Sequence, residues 1–138
     1  MTEDADPAAR IVYLDSSAVV KLIVREVESM ALRRFLRRHP RRVSCALART
    51  EVIRAVRHLG AAAVARARRH LERLDLLRVD DEILDSAGGL DPRILRSLDA
   101  IHLAAALVVA PRLDGVVTYD DRMACAARLL GLQVFSPS

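Results

Sequence analysis

Aromatic residues and cysteine are scarce in this chain, and their scarcity excludes several kinds of functional site. Aromatic residues make up 3% of the 138 positions, with two Phe, two Tyr and no Trp, so base stacking on aromatic side chains is at most a minor mode of ligand binding. Cys45 and Cys125 lie far apart and form no Cys-x-x-Cys pair, which predicts two reduced apolar side chains and no zinc site. No phosphate-binding glycine loop and no Ser-His-Asp pattern is present.

The sequence also lacks the pattern of a signal peptide or a membrane-spanning helix. Residues 1–10 are polar and acidic, unlike a signal peptide. The purest apolar stretch, residues 104–110, is far too short to cross a bilayer. We therefore expect a soluble, cytoplasmic protein with no membrane association. We also expect residues 1–10 to form a flexible tail and residues 11–138 to form one domain.

Lysine is almost absent, and arginine carries nearly all of the positive charge. Lys21 is the only lysine among 22 basic residues, the net charge is +4 and the sequence pI is about 9.8. Arginine makes bidentate contacts with phosphate, so this composition indicates a nucleic-acid partner, although a bias toward Ala and Arg codons would produce it too. Two arginine clusters, at residues 33–42 and 66–73, are candidates for phosphate contacts or for solvated helix faces.

Short β-rich runs alternate with helical segments along the chain. Residues 11–14 are apolar without alternation, which is typical of a strand buried on both faces. Further strands are predicted at residues 42–46, 76–79, 115–118 and 133–135. Helices are predicted at residues 18–25, 28–39, 61–74, 94–109 and 120–130, with one more ending at Gly60. The alternation predicts an α/β domain with a parallel sheet between helices.

Four acidic residues are predicted to meet at one edge of this sheet. Ligands of open parallel sheets bind outside the carboxyl ends of the strands. Asp15 directly follows the first strand, Asp120 closely follows the strand at residues 115–118, and Glu51 lies early in the helix after the second strand. Asp99 lies in an apolar helix, where a buried carboxylate requires a cation or strong hydrogen bonds.

Converging carboxylates repel one another, and a divalent cation would relieve the repulsion. Carboxylate oxygens suit Mg²⁺ or Mn²⁺. Such an ion keeps several waters and can meet a substrate phosphate, and one water can lose a proton and attack phosphorus. The pattern therefore favours metal-dependent hydrolysis of a phosphodiester.

Each acid also has a structural interpretation. Asp15 and Asp120 could be helix N-caps. Glu51 could be a surface residue or a partner of the arginine three positions later, and Asp99 could pair with a buried arginine or with His102, which shares its helix face. If all of these structural interpretations were correct, four independent coincidences would have brought the acids to one edge of the sheet. We therefore prefer a joint functional role for the four acids.

Four short segments surround the four acids: residues 13–18 (YLDSSA), 49–52 (RTEV), 98–107 (LDAIHLAAAL) and 118–123 (TYDDRM). Together they resemble PIN-domain nucleases, in particular the toxin component of VapBC-type toxin–antitoxin pairs. Each motif is short, and the specificity lies in their order and spacing. The resemblance extends over residues 11–136.

This resemblance implies a three-layer α/β/α fold with a parallel sheet of about five strands. It also implies a metal-dependent endoribonuclease whose catalytic quartet is Asp15, Glu51, Asp99 and Asp120. Asp15 and Asp99 would be the main ligands of Mg²⁺, with Mn²⁺ as an alternative. Glu51 and Asp120 would complete the site directly or through water.

Further residues near the quartet are given supporting roles by the same resemblance. Ser17 and Thr118 match small hydroxyl positions that orient a carboxylate or a water. Arg96 precedes the third acid by three residues and could pair with it or contact the scissile phosphate. Asp121 adjoins Asp120, and we assign the site to Asp120 because it completes the Thr-x-Asp pattern.

The resemblance further implies an RNA substrate, a homodimer and a small VapB-like antitoxin whose C-terminal segment occupies an apolar groove. Groove candidates, or alternatively ordinary core positions, are Val19, Val20, Leu22, Ile23, Leu32 and Leu36. An alternative function is a PIN-like binding module with little activity, acting mainly as the partner of a DNA-binding antitoxin. The presence of all four acids favours the nuclease.

Overall fold

The strands form one sheet in which all neighbouring strands run parallel. The structure is a computed structural model and describes residues 10–138; apart from Arg10, the predicted tail lies outside this range. The five strands are β1 (Ile11–Leu14), β2 (Arg42–Cys45), β3 (Asp75–Leu77), β4 (Leu113–Val117) and β5 (Val134–Phe135). They lie in the order β3-β2-β1-β4-β5, so the predicted class and strand number are confirmed.

Seven α-helices within residues 10–138 surround the sheet. They are α1 (Ser16–Ile23), α2 (Ser29–Arg37), α3 (Ala48–Val56), α4 (Ala61–Glu72), α5 (Asp81–Gly88), α6 (Ser97–Val108) and α7 (Asp121–Leu129). Two 3₁₀ turns, Arg57–Leu59 and Ala110–Arg112, follow α3 and α6. The longest of these helices have 12 residues, and none in the described part of the chain is long and apolar enough to cross a membrane.

The central strand β1 is buried on both faces, which explains its continuous apolar sequence. Val12 and Leu14 pack into a core cluster with α1, α2, α3 and α4. Ile11 and Tyr13 point to the opposite face and pack with α5 and α6. Side chains alternate between the faces of a strand, so both faces of β1 need apolar residues to fill the two helical layers.

The apolar residues of α1 and α2 serve mainly as core. Five of the six groove candidates are buried, and the sixth, Val20, is half-buried. The buried five are Val19, Leu22, Ile23, Leu32 and Leu36. Their burial favours the interpretation of these residues as core positions, and Val19, Leu22 and Leu36 also line a cavity of about 320 Å³ between α1, α2 and α4.

Several element boundaries differ from the predictions by one to three residues, and two of these differences have a clear structural cause. Helix α6 begins at Ser97 and not at Ile94, because Arg96 has an extended backbone with ψ of 151° and Ile94 is 86% exposed. The third strand ends at Leu77, because Leu77 pairs with Cys45, the last residue of the neighbouring strand β2. The Asp80 carboxylate then accepts a hydrogen bond from Ile83 N and begins α5.

Candidate active site

The strand order reverses at β1, and the predicted acidic residues lie in a cleft at this point. The carboxyl ends of β1 and β4 are adjacent, which is where open parallel sheets bind ligands. The cleft has a volume of about 160 Å³ and is lined by Asp15, Ser16, Ser17, Glu51, Asp99, His102, Asp120 and Met123. All four predicted acids therefore line one cleft, together with residues of α1, α3, α6 and α7.

Asp15 is the most buried of the four acids, with 3% of its surface exposed. Its Oδ1 accepts hydrogen bonds from Ala18 N at 3.0 Å and from Ser17 Oγ at 2.7 Å, and its Oδ2 accepts one from Thr118 Oγ1. Burial raises the pKa of Asp15, while the bonds from Ser17 and Thr118 act in the opposite direction. Asp15 is thus an N-cap of α1 and a cleft residue at once, because Oδ2 accepts only the bond from Thr118 and keeps a lone pair for a further ligand.

Asp120 is connected to Asp15 through Thr118. The Thr118 hydroxyl donates to Asp15 and accepts from the backbone N of Asp120 at 3.1 Å. The Asp120 carboxylate caps α7 by accepting from Met123 N at 3.0 Å. Asp121 is the first residue of α7 and does not line the cleft, whereas Asp120 does.

Glu51 is held by two donors that act on the same oxygen. Its Oε1 accepts from Ser16 Oγ at 2.6 Å and from His102 Nε2 at 2.7 Å. The buried His102 ring also lies 2.7 Å from Tyr13 Oη through Nδ1. Burial disfavours the charged imidazole, yet hydrogen bonds to Cys45 and Glu51 raise the pKa of His102 to about 10. Burial likewise opposes the charge on Glu51, but the bonds from His102 and Ser16 lower its pKa, so the two form an ion pair at neutral pH.

Asp99 lies in the first turn of α6 and has the fewest hydrogen-bond partners of the four acids. Burial raises its pKa, and the negative charges of Asp120 and Asp15 raise it further. Within residues 10–138, its carboxylate has no hydrogen-bond or ion-pair partner. Neither predicted partner engages it, since His102 pairs with another acid and Arg96 is exposed beside the helix start.

This donor set fits a hard divalent cation that keeps much of its water. Buried and mutually repelling carboxylates gain when a cation binds between them. In the described part of the chain, no three His, Cys, Asp or Glu side chains form a ready-made metal cluster. Mg²⁺ is commonly bound by one or two carboxylates, with waters and substrate phosphates supplying the other ligands. The oxygen donors of the cleft are suited to that mode.

Three cleft or near-cleft residues were not predicted as site residues. Ser16 and His102 bind Glu51, and Tyr13 binds His102 behind it. The Asp-x-x-His spacing of α6 indicated that His102 shares a face with Asp99, but its partner is an acid from a different helix. For Ser16, the only feature of the sequence that indicated a place in the site was its position directly after Asp15.

Comparison with known proteins identifies the PIN-domain family over nearly the whole chain. The PIN domain matches residues 12–129. Ribonuclease VapC46 of Mycobacterium tuberculosis (strain ATCC 25618 / H37Rv) is 60% identical over 128 residues, covering 92% of this chain and 98% of the relative. Ribonuclease VapC35 of the same organism is 42% identical over 132 residues, with 92% and 97% of the two chains covered.

Solved structures share the fold at much lower identity. The crystal structure of VapC20 from M. tuberculosis, a sarcin–ricin loop cleaving toxin, has a TM-score of 0.74 and 16% identity over 91% of this chain and 99% of that one. A toxin–antitoxin complex from Klebsiella pneumoniae has a TM-score of 0.71 and 19% identity, covering 92% and 98%. From the domain match and the identity to its relatives, the chain belongs to the PIN-domain family, among the VapC ribonucleases.

Proposed function

We propose that this protein is a metal-dependent endoribonuclease, the toxin component of a type II toxin–antitoxin pair, which hydrolyses RNA phosphodiester bonds. The observation that carries the proposal is the meeting of Asp15, Glu51, Asp99 and Asp120 in one cleft at the switch point of the sheet. Relatives of up to 60% identity over nearly the whole chain are ribonucleases.

Asp15 and Asp99 are proposed to hold the metal, with Asp120 contributing directly or through water. When bound, a divalent ion would supply charge compensation and a more acidic water. We propose Mg²⁺, with Mn²⁺ as a substitute, because the donors are carboxylate oxygens. Asp15 is pre-oriented by Ser17 and Thr118, so it loses little conformational freedom on binding.

Glu51 is proposed to orient the attacking water. Ser16 and His102 both bind its Oε1, so Oε2 is available to accept a hydrogen bond from water in the cleft. The ion pair with His102 keeps Glu51 charged at neutral pH. Arg96, exposed at the start of α6, is proposed to contact the phosphate whose bond is cut.

The partners we propose are an RNA substrate, a small VapB-like antitoxin and a second copy of the chain. Family membership supports the antitoxin, and one protein that shares the fold comes from a toxin–antitoxin complex. In this proposal the antitoxin blocks the cleft and the free toxin cuts RNA. The protein would act in the cytoplasm.

The test is cleavage of a panel of structured RNAs by purified protein in Mg²⁺, in Mn²⁺ and in EDTA, with and without the cognate antitoxin. We expect cutting that requires a divalent ion and stops when antitoxin is added. Cutting that persists in EDTA would contradict the proposal. Folded protein that binds its antitoxin and a divalent ion but cuts none of the RNAs would favour the binding module instead.

A further inference from the structure

A buried chain of hydrogen-bonding groups runs from the core of the sheet to the acidic cleft and ends on Glu51. The His102 imidazole, on α6, is 2% exposed, and its Nε2 donates to Glu51 Oε1 at 2.7 Å. Its Nδ1 lies 2.7 Å from Tyr13 Oη and 3.6 Å from Cys45 Sγ. Tyr13 and Cys45 are fully buried in the neighbouring strands β1 and β2. The imidazole therefore connects the core to one carboxylate of the cleft.

The contacts of the His102 ring give it one defined orientation. The Tyr13 ring packs edge-on against it, with the ring centroids 5.8 Å apart and the ring planes at 80°. Both ring nitrogens have a partner, so a rotation of the ring would leave buried polar groups without a hydrogen bond, which is costly in a protein interior. The bond to Glu51 therefore starts from a donor whose position is set by the core.

The bond from His102 to Glu51 also joins two helices that contribute different acids to the cleft. Glu51 comes from α3, whereas Asp99 and His102 come from α6, three residues apart. Side chains at this spacing are neighbours on a helix surface, and all three residues line the cleft. The first turns of α6 therefore place the proposed metal ligand Asp99 and also fix where the Glu51 carboxylate lies relative to it.

Ser16 provides the second donor to the same oxygen of Glu51. Its hydroxyl donates to Oε1 at 2.6 Å and lies 3.4 Å from His102 Nε2, so the two donors meet Oε1 side by side. Two hydrogen bonds at one oxygen restrict rotation of the carboxylate group and leave Oε2 for water. The orientation of Glu51 is thus set before any substrate binds.

A purely structural role for His102 is the main alternative. A buried charged pair is weak evidence for such a role, because well-packed apolar side chains of similar volume are often as stable or more stable. Burial indeed disfavours the charged form of this imidazole. The hydrogen bonds of the ring instead lead to a residue of the proposed site, which favours a role in the reaction.

We propose that His102, supported by Tyr13 behind it, is a positioning residue for RNA hydrolysis, which holds Glu51 so that its Oε2 orients the attacking water. This inference rests on the proposed ribonuclease function and on the role given there to Glu51. His102 acts through Glu51 alone and needs no contact with RNA. Partners that orient a residue of an active site are typically worth about 10- to 100-fold in activity, because a small misplacement of a reacting group slows the chemical step.

The experiment is a double-mutant cycle between His102 and Glu51, measured as cleavage of the RNA that wild type cuts fastest. His102→Leu removes the donor to Glu51, and His102→Gln keeps one. Each is made in the wild-type protein and in Glu51→Gln. We expect His102→Leu to lower kcat about 10- to 100-fold with KM unchanged, His102→Gln to recover most of this loss, and His102→Leu to cause no further loss in the Glu51→Gln protein.

Two further variants separate positioning from loss of stability. His102→Leu leaves the buried Tyr13 hydroxyl without its partner, whereas Tyr13→Phe/His102→Leu removes both polar groups, so it should melt at a higher temperature than His102→Leu and keep the same low kcat. Val56→Ala changes a fully buried position of α3 that does not line the cleft. It should lower the melting temperature and leave kcat unchanged when cleavage is measured well below that temperature.

Calorimetric titration with Mn²⁺ provides a readout that does not depend on cleavage. His102→Leu should bind Mn²⁺ like wild type, and a loss of affinity parallel to the loss of kcat would overturn the inference, because it would place the effect on the metal site. Equal fold losses of kcat in the wild-type and Glu51→Gln proteins would also overturn it, since they would show a structural effect. Glu51→Gln that cuts like wild type would overturn it and leave the ribonuclease function intact. If wild type cuts no RNA, the ribonuclease proposal itself fails, and this inference falls with it.

Discussion

Replacing His102 with glutamine should remove a pH-dependent part of the stability of the folded protein. The buried imidazole donates to Glu51 and contacts Tyr13, both at 2.7 Å. Glutamine has a similar length and can keep one hydrogen bond, but it cannot carry the positive charge that pairs with Glu51. The pH-dependent part of the difference between wild type and variant therefore reports the contribution of the charge.

The direction and size follow from the pKa of His102, which is about 10 in the folded protein against an ordinary 6.5. Because the folded state binds the proton more tightly, the stabilisation is full below about pH 6.5 and is lost as the pH rises toward 10. One pKa unit corresponds to about 1.4 kcal/mol, so the contribution should fall by roughly 3 kcal/mol between pH 6.5 and pH 9.

The assay is urea unfolding of wild type and His102→Gln in EDTA at several pH values between these limits. We expect the difference in the free energy of unfolding to narrow by roughly 3 kcal/mol as the pH rises. His58→Gln is the matched control, since His58 is exposed, and its difference from wild type should stay constant. A His102→Gln difference that does not change with pH would refute the raised pKa that Cys45 and Glu51 give to His102.

Three further substitutions test other parts of the structure. Thr118→Val should weaken Mn²⁺ binding about 10- to 100-fold, measured by calorimetry, because the Thr118 hydroxyl orients the buried carboxylate of Asp15. The control Thr50→Val, at an exposed position, should bind Mn²⁺ like wild type. Equal Mn²⁺ affinities of the two variants would contradict this role of Thr118. Gly115→Ala should destabilise the protein by about 1–3 kcal/mol, because a Cβ at this position would lie 2.8 Å from the backbone carbonyl oxygen of Gln133. In the control Gly88→Ala the new Cβ meets nothing within 4 Å, so the melting temperature should stay that of the wild type. Asp99→Asn should raise the melting temperature in EDTA, because it removes a carboxylate whose pKa is raised by burial and by the negative charges of Asp120 and Asp15. This gain should disappear as the pH falls through that raised pKa, where wild-type Asp99 takes up a proton and loses its charge. A lower melting temperature of the variant at pH 7 would argue against repulsion between these carboxylates.

The fold was predictable because local patterns and the tertiary structure agree. The apolar run of β1 without alternation indicated a strand covered on both faces, and the structure fills both with helices. The predicted start of α6 at residue 94 is wrong, because Ile94 and Leu95 continue an apolar pattern that is typical of a helix. In the structure Ile94 faces solvent and the helix begins only after Arg96, which nothing in the local sequence indicated.

The acidic cleft was predictable from topology, and its internal pairing was not. Asp15 and Asp120 follow strands that end at the same edge of the sheet, so their meeting follows from the strand order. The partner of His102 is decided by a contact with Glu51, 51 residues away in the chain. Spacing within α6 suggested Asp99 instead, because helical periodicity describes only neighbours on the same helix.

The cavity of about 320 Å³ between α1, α2 and α4, which is lined by arginines of both clusters, shows the same limit. Its two arginine clusters looked like separate helix faces in the sequence. Only the packing of α4 beside α1 and α2 makes them walls of one cavity. Periodicity could identify basic faces, but it could not show which of those faces would meet.

The most direct test of the central claim is RNA cleavage by Asp15→Asn and Asp99→Asn beside a matched control, Asp85→Asn, in saturating Mg²⁺ or Mn²⁺. Asp85 is exposed on α5 and lies outside the cleft, and all three substitutions remove one carboxylate charge. We predict that both cleft variants fold, lose cleavage by at least about 100-fold and bind Mn²⁺ more weakly, while the control cuts like wild type. Wild-type cleavage by either cleft variant would contradict the assignment of the acidic cleft as the active site.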